Sequence, residues 1–259
     1  MLSIDDLDED LAAEVKKPRK KRKSRRDLTA ANLDIAPAAL VPDSPTAKAL
    51  WRVWSGGLIT VVDSPPGGGK SAAVATLAAH LAVRGGLSVV VGTPTRRAAL
   101  EIALRIAQQV PGDRMNLQSA TTPVPGLYIG RRGYESGSGG YVTIRTLDSC
   151  KARPPQVDVL IVDEAYQCTF AKVAVAAEHA RQLMLVGDPG QIGPVVAVDT
   201  SVWEHMANAP HRRAPEVYQD WPDTGTIHIA TSYRLGQASV EAIARSTTSR
   251  SSRDDRAAW

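Results

Sequence analysis

The stretch that most constrains this chain is Ser64 to Ser71, SPPGGGKS, with three consecutive glycines ahead of a Lys-Ser pair. Leu58 to Asp63 (LITVVD) precedes it and is short, apolar and β-branched, as a buried strand should be. Lys70 to Val83 follows and reads as an Ala-rich helix. A glycine turn between strand and helix lets successive backbone N–H groups converge on one point, and the helix adds the positive end of its dipole there. Such a turn belongs at the C-terminal edge of a sheet whose strands alternate with helices.

The rest of the chain supplies that alternation. Leu87 to Val91 (LSVVV) predicts the next strand and Arg96 to Gln109 the next helix. Pro111 to Gly140 is rich in Gly, Pro and Ser and reads as a long loop or small insertion. Tyr141 to Thr146, Val157 to Val162, Gln182 to Val186 and Thr226 to Ala230 predict further strands. Their nearly continuous apolar runs imply strands covered on both faces. The expected fold is therefore α/β, a doubly wound parallel sheet, occupying residues 43–231. Gln237 to Arg245 reads as one further helix, and residues 232–259 as the start of a second domain that then stops.

Residues 1–42 form an expected disordered tail. Asp5, Asp6, Asp8, Glu9 and Asp10 precede Lys16 to Arg26, KKPRKKRKSRR, a run that repels itself and buries nothing. It reads either as a solvated tail or as an arm following nucleic-acid phosphate. The 43% hydrophobic content suffices for a packed core. Cys150 and Cys168 offer neither a disulfide framework nor zinc spacing, and read as a reduced, buried pair. The five histidines fall into no ligand pattern. No apolar run is long enough to span a membrane, and the N-terminus lacks a secretory core, so a cytoplasmic protein is expected.

The chemistry starts at the glycine turn. In its strand–turn–helix context the stretch is a P-loop, a cradle for ATP phosphates formed by Pro66, Gly67, Gly68, Gly69, Lys70, Ser71 and Ala72. Lys70 would reach the β- and γ-phosphates, and the Ser71 hydroxyl would ligate Mg²⁺. Ser64 stands where the pattern has its first glycine. A second site follows about a hundred residues later in VDVLIVDEAYQ, Val157 to Gln167. Here an apolar strand delivers Asp163 and Glu164 to the same edge. Asp163 would hold Mg²⁺ through its water shell, and Glu164 would orient and deprotonate the attacking water.

Further stretches narrow this reading. PPGGGKS and DEAYQ resemble motifs I and II of superfamily 1 helicases, and Leu185 to Val195, LVGDPGQIGPV, resembles their motif III. TPTRRA from Thr93, TLDS from Thr146 and SYR from Ser232 look like motifs Ia and Ib and the start of motif IV. The resemblance covers roughly Asp43 to Arg245, with the motifs in family order. It implies a RecA-like ATPase domain. Gln191 would sense the γ-phosphate, with Asp188 supporting it. Tyr233 would stack near the adenine, and Arg234 would act as an arginine finger. Thr93, Thr95 and Thr146 would touch single-stranded nucleic acid, DNA ahead of RNA, although as residue types they could equally cap helices. Ile192 and Gly193 depart from the Leu and first Pro usual in motif III. No glutamine upstream of the P-loop reads adenine. Trp51 and Trp54 stand there instead, at a spacing that reads as core more than as a base platform.

Such helicases sandwich ATP between two RecA-like domains, and motifs beyond IV are missing by residue 259. A truncated or frameshifted gene is therefore expected, with Ser246 to Trp259 as degenerate coding. The competing expectation is a self-contained ATP-dependent switch or loader that uses the basic arm. A P-loop kinase with a small-molecule acceptor is disfavoured by motif III and by the glutamine of DEAYQ.

Overall fold

A computed structural model of the chain describes residues 35–118 and 139–230. Its centre is a seven-stranded sheet in which every pairing is parallel: β1 (Ile59–Asp63), β2 (Ser88–Thr93), β3 (Met115–Leu117), β4 (Tyr141–Thr146), β5 (Val157–Asp163), β6 (Ala180–Gly187) and β7 (Thr224–His228). The strand order is β3-β4-β2-β5-β6-β1-β7. Helices α1 (Pro45–Trp54), α2 (Lys70–Ala79), α3 (Arg96–Ile106), α4 (Leu147–Ala152), α5 (Phe170–Ala176) and α6 (Ala214–Gln219) accompany the strands. The doubly wound parallel α/β fold expected from the alternation is the fold observed.

Successive strand side chains point to opposite faces, so each apolar run feeds two cores. Val62, Val89, Val91, Ile161, Met184 and Val186 pack with Leu77, Leu81, Ile102 and Ile106 in one cluster. Val61, Val90, Leu160, Val162 and Leu185 pack with Leu147, Val173, Ala214 and Tyr218 in the other. Burial on both faces is why these strands read as runs rather than as alternations.

Several local features differ from the sequence reading. The helix after the glycine turn is α-helical to Ala79 and continues to Arg84 as a π-type turn. The 111–140 stretch contains β3, a strand of three residues. The last strand runs over Thr224–His228, earlier than expected. Helix α1 went unread. It is capped by Ser44, whose Oγ accepts from Ala47 N at 3.2 Å. Its buried stripe is Ala49, Leu50 and Val53, whereas Trp51 and Trp54 are 69% and 46% exposed. The two tryptophans are therefore not core. Upstream of α1, Ala38 is pinned at both polar groups: its N–H donates to Gln109 Oε1 at 3.0 Å, and its carbonyl accepts from His80 Nε2 at 2.8 Å.

Cys150 and Cys168 are both free and buried. Among the described residues no helix is long and apolar enough to cross a membrane. The basic arm, Tyr233, Arg234 and the expected helix at Gln237 to Arg245 lie outside the described residues.

Candidate functional site

Parallel register gathers the candidate residues at the C-terminal edge of the sheet. Asp63 pairs with Gly187 across β1 and β6, and Asp163 pairs with Val186 across β5 and β6. Because β6 lies between β1 and β5, the loop after it emerges between the glycine turn and the Asp-Glu pair. The three segments with the most chemistry thus leave from neighbouring strands.

The glycine turn is locally determined. Ser64 N donates to Gly187 O at 2.9 Å, adding one rung beyond β1, and Gly68 N closes the turn on Pro65 O at 3.0 Å. Gly67 and Gly69 have φ of 74° and 81°, in the left-handed region that other residues resist. Gly68 is required for another reason: a Cβ there would lie 2.2 Å from Ser64 Oγ and 3.0 Å from Pro65 O. Ser64 is fully buried, so the serine that replaces the usual glycine fills the space beneath Gly68. No side chain caps α2 at Gly69, and the amides of a helix's first turn have no partner within the helix. They are open to an anion. Lys70, the first residue of α2, is only 9% exposed, while Ser71 is half-buried and Ala72 exposed.

Asp163 ends β5 in a buried position, and its Oδ1 accepts from Glu164 N at 3.0 Å. Burial pushes its carboxyl up to about 6, the Glu164 charge adds to the rise, and Lys70 opposes it. Glu164 has φ 54° and ψ 42°, a left-handed conformation for a non-glycine residue. Such backbone strain persists only where surrounding structure over-determines it, and it concentrates at functional sites. Among the described residues, Glu164 Oε2 and Asp188 Oδ2 are buried with no hydrogen-bond partner. Orphaned oxygens at this edge suit an incoming donor or cation.

The loop after β6 is tied to that pair. Asp188 Oδ1 accepts from Gly190 N at 2.9 Å, and Gln191 N donates to Asp188 O at 3.1 Å. Gln167 Nε2 donates to Gln191 Oε1 at 3.1 Å, joining the segment after Glu164 to the loop after Asp188. Ser71, in the first turn of α2, and Asp163, at the end of β5, both lie at this edge, and Mg²⁺ takes one or two protein oxygens and completes its shell with phosphate and water. Among the described residues no cluster of three His, Cys, Asp or Glu could hold a metal by itself.

The threonines expected to meet nucleic acid lie at the same edge, where Thr93 pairs with Thr146 across β2 and β4. Thr93 is buried, and its Oγ1 faces Thr95 O at 3.0 Å and Arg145 O at 3.3 Å. Thr95 and Thr146 are helix N-caps, their hydroxyls accepting from Ala98 N at 3.1 Å and Ser149 N at 3.3 Å. Trp54 sits elsewhere. Its neighbour Val53 O accepts from Gln182 near the start of β6, which places the end of α1 at the N-terminal edge of the sheet.

Two clusters here were not singled out from the sequence. Tyr166 OH donates to Asp63 Oδ1 at 2.7 Å, Gln219 Nε2 donates to Asp63 Oδ2 at 3.3 Å, and His228 Nδ1 lies 3.4 Å from the same oxygen. Burial raises the Asp63 carboxyl above its ordinary range, with these three partners opposing and the Asp188 charge adding. The second cluster is centred on Arg213, which reaches the backbone of the loop after Asp188. These partners come from residues far away in the chain. The one sequence signal was a charged Asp63 at the end of an otherwise apolar strand.

Comparison with known proteins gives a family and several solved structures with partial similarity. The AAA domain model matches residues 47–248. No curated protein sequence matches the chain. Among solved structures, arterivirus nonstructural protein 10 (helicase) is 22% identical with a TM-score of 0.46, covering 74% of this chain and 39% of that one. The Bacteroides Pif1 helicase is similar at 14% identity and a TM-score of 0.44, covering 76% of this chain and 44% of that one. Bacteroides sp Pif1 in complex with ADP-AlF4 is 16% identical with a TM-score of 0.43, covering 78% and 44%. The chain therefore spans about two fifths of the length of these proteins.

Proposed function

Because the chain belongs to the AAA domain family, we propose that it binds ATP with Mg²⁺ and hydrolyses it as the first motor domain of a superfamily 1 DNA helicase. The observation behind this reading is the convergence of the glycine turn, Asp163–Glu164 and Gln191 at one sheet edge, on loops from three adjacent strands. Gly67 to Ala72 cradle the phosphates through backbone N–H groups, Pro66, which has no N–H, shapes the start of the loop, and Lys70 adds its charge at the β- and γ-phosphates. Ser71 and Asp163 hold Mg²⁺, which neutralises charge on the phosphate oxygens. Binding a cation beside Asp163 would favour its ionised form and offset the burial that now opposes it. Glu164 orients the attacking water and takes its proton, and its buried Oε2 is free for that task among the described residues.

Gln191 senses the γ-phosphate from between the two sites, and its bond from Gln167 ties that sensing to the turn that carries Glu164. Tyr233 stacks near the adenine, and Arg234 supplies a cation worth about 10³- to 10⁵-fold in rate. Thr93, Thr95 and Thr146 mark where single-stranded DNA passes, and the Lys16 to Arg26 arm adds phosphate contacts. The cytoplasm is the proposed compartment.

Steady-state ATPase of the full chain, with and without single-stranded DNA, tests the reading beside a Lys70→Ala control. Turnover that requires Lys70 and rises with DNA is expected. Turnover indifferent to Lys70 would refute the site assignment. Stimulation without strand separation would favour a self-contained switch or loader.

A further inference from the structure

We infer that Arg213 is a positioning residue: its guanidinium holds the loop after β6 so that Gln191 faces the hydrolytic pair. The inference rests on the function proposed above and identifies the device that regulates Gln191 at that site.

Arg213 spans the loop. Its Nη1 donates to Pro189 O at 3.1 Å and its Nη2 to Gln191 O at 2.9 Å, so one planar fork holds two carbonyls two residues apart. Glu216 Oε1, one turn on in α6, lies 3.3 Å from Nη1 and orients the group from behind. The backbone of Arg213 is also fixed. It forms an isolated antiparallel bridge with Thr169, Ala214 N donates to Cys168 O at 3.0 Å, and Phe170 N donates to Arg212 O at 2.8 Å. Cys168 and Thr169 directly follow the segment of Glu164 and Gln167. The two loops that flank the reaction centre are thus joined twice, by the Gln167–Gln191 side-chain bond and by Arg213.

Gly193 makes room for this arrangement. A Cβ on residue 193 would lie 2.7 Å from Arg213 Nε. The position where related motifs carry proline is occupied here by the one residue that lets the guanidinium lie against the loop. Departure and clamp explain each other. The Gln191 side chain is half-buried and its Oε1 accepts from Gln167 Nε2 at 3.1 Å, so the backbone position that Arg213 holds sets where its amide can reach.

The test compares wild type, Arg213→Lys, Gln191→Ala, the double variant and Glu216→Gln, all in the full chain. Lysine keeps the charge and the Glu216 contact but cannot bridge two carbonyls in a fixed fork. Arg213→Lys should lower kcat by about 10- to 100-fold, as expected when a reacting group is misplaced by around 1 Å, with KM within about twofold of wild type. The double variant should be no slower than Gln191→Ala alone, because residues acting through one another are not additive. Glu216→Gln, whose amide oxygen can still accept from Nη1, should lower kcat less than Arg213→Lys does, and a larger loss would overturn the assignment to the fork of Arg213. In parallel, amide exchange at residues 190–193 should quicken at least about tenfold in Arg213→Lys while β6 is unaffected.

Multiplicative losses in the double variant, or unchanged exchange at 190–193, would overturn the role of Arg213. Failure of the functional reading looks different: wild-type turnover would then not depend on Lys70, and the exchange comparison would still decide whether Arg213 holds the loop.

Discussion

Replacing Asp163 with asparagine should stabilise the metal-free protein while abolishing the proposed turnover. Burial holds the Asp163 carboxyl at about 6 against an ordinary 3.8, so the folded chain binds a proton there more tightly than the unfolded chain does. The folded pKa is raised, and an acid with a raised folded pKa is destabilising once ionised. Stability from this group is greatest below pH 3.8 and falls as pH climbs to about 6, after which the loss is constant. At about 1.36 kcal/mol per pH unit, the full loss at pH 7 is about 3 kcal/mol. Asparagine carries no such penalty, and its Oδ1 can still accept from Glu164 N as Asp163 does at 3.0 Å. The new amide protons need acceptors, so the pH dependence is a cleaner measure than the absolute gain. Urea denaturation in EDTA at pH 5, 6, 7 and 8 measures it. The stability difference between variant and wild type should grow by about 1 kcal/mol from pH 5 to 7 and then level off. A difference that is flat across this range, or that shrinks with rising pH, would refute the argument that burial of Asp163 dominates. The same charge that destabilises the empty site is the one proposed to hold Mg²⁺, which is the usual conflict between stability and activity.

Gly68→Ala should weaken nucleotide binding at least about tenfold by forcing the turn open, because its Cβ would meet Ser64 Oγ at 2.2 Å. Adding Ser64→Gly should recover part of that affinity, as fluorescent-nucleotide titration would show; no recovery would assign the defect to the Pro65 carbonyl instead. Thr146→Ala should lower stability by about 1 kcal/mol through loss of the α4 N-cap, whereas Thr146→Ser should not. If single-stranded DNA affinity falls with the alanine variant and not with the serine one, the hydroxyl has a role at the surface beyond capping. Burial pushes the Cys168 thiol up to about 11, and Cys150 is fully buried. Neither should react with a disulfide reagent at pH 8 until urea unfolds the chain; rapid reaction of the native protein would contradict the burial.

Much of this molecule is legible without its structure, and for a definable reason. The glycine turn, the apolar strand ending in Asp163–Glu164 and the GDPGQ loop are local arrangements, each set by backbone conformation and side-chain type over a few residues. Strands buried on both faces announce themselves as apolar runs, so the sheet and its parallel sense could be expected. The six-residue α6 could not, and α1 went unread although Ser44 and Pro45 mark its start and Ala49, Leu50 and Val53 form its buried stripe. The two tryptophans of α1 show the limit: their spacing is compatible with core, and only the packing of Ala49, Leu50 and Val53 decides that they face outward. The threonines show another, because residue type cannot distinguish a cap from a contact.

What the sequence determined alone is the set of candidate site residues and the edge to which they are delivered, since strand ends and turns are consequences of local chemistry. Tertiary structure alone decided which groups meet. The order β5-β6-β1 brings the loop that carries Gln191 out between the strands that end in the glycine turn and the Asp-Glu pair, Tyr166 and Gln219 converge on Asp63 from 103 and 156 residues away, and Arg213 reaches back 22 residues to Gln191. No pattern within a short window encodes such pairings. They arise because a parallel sheet aligns the ends of strands that are remote in sequence, and burial there makes each polar partner matter.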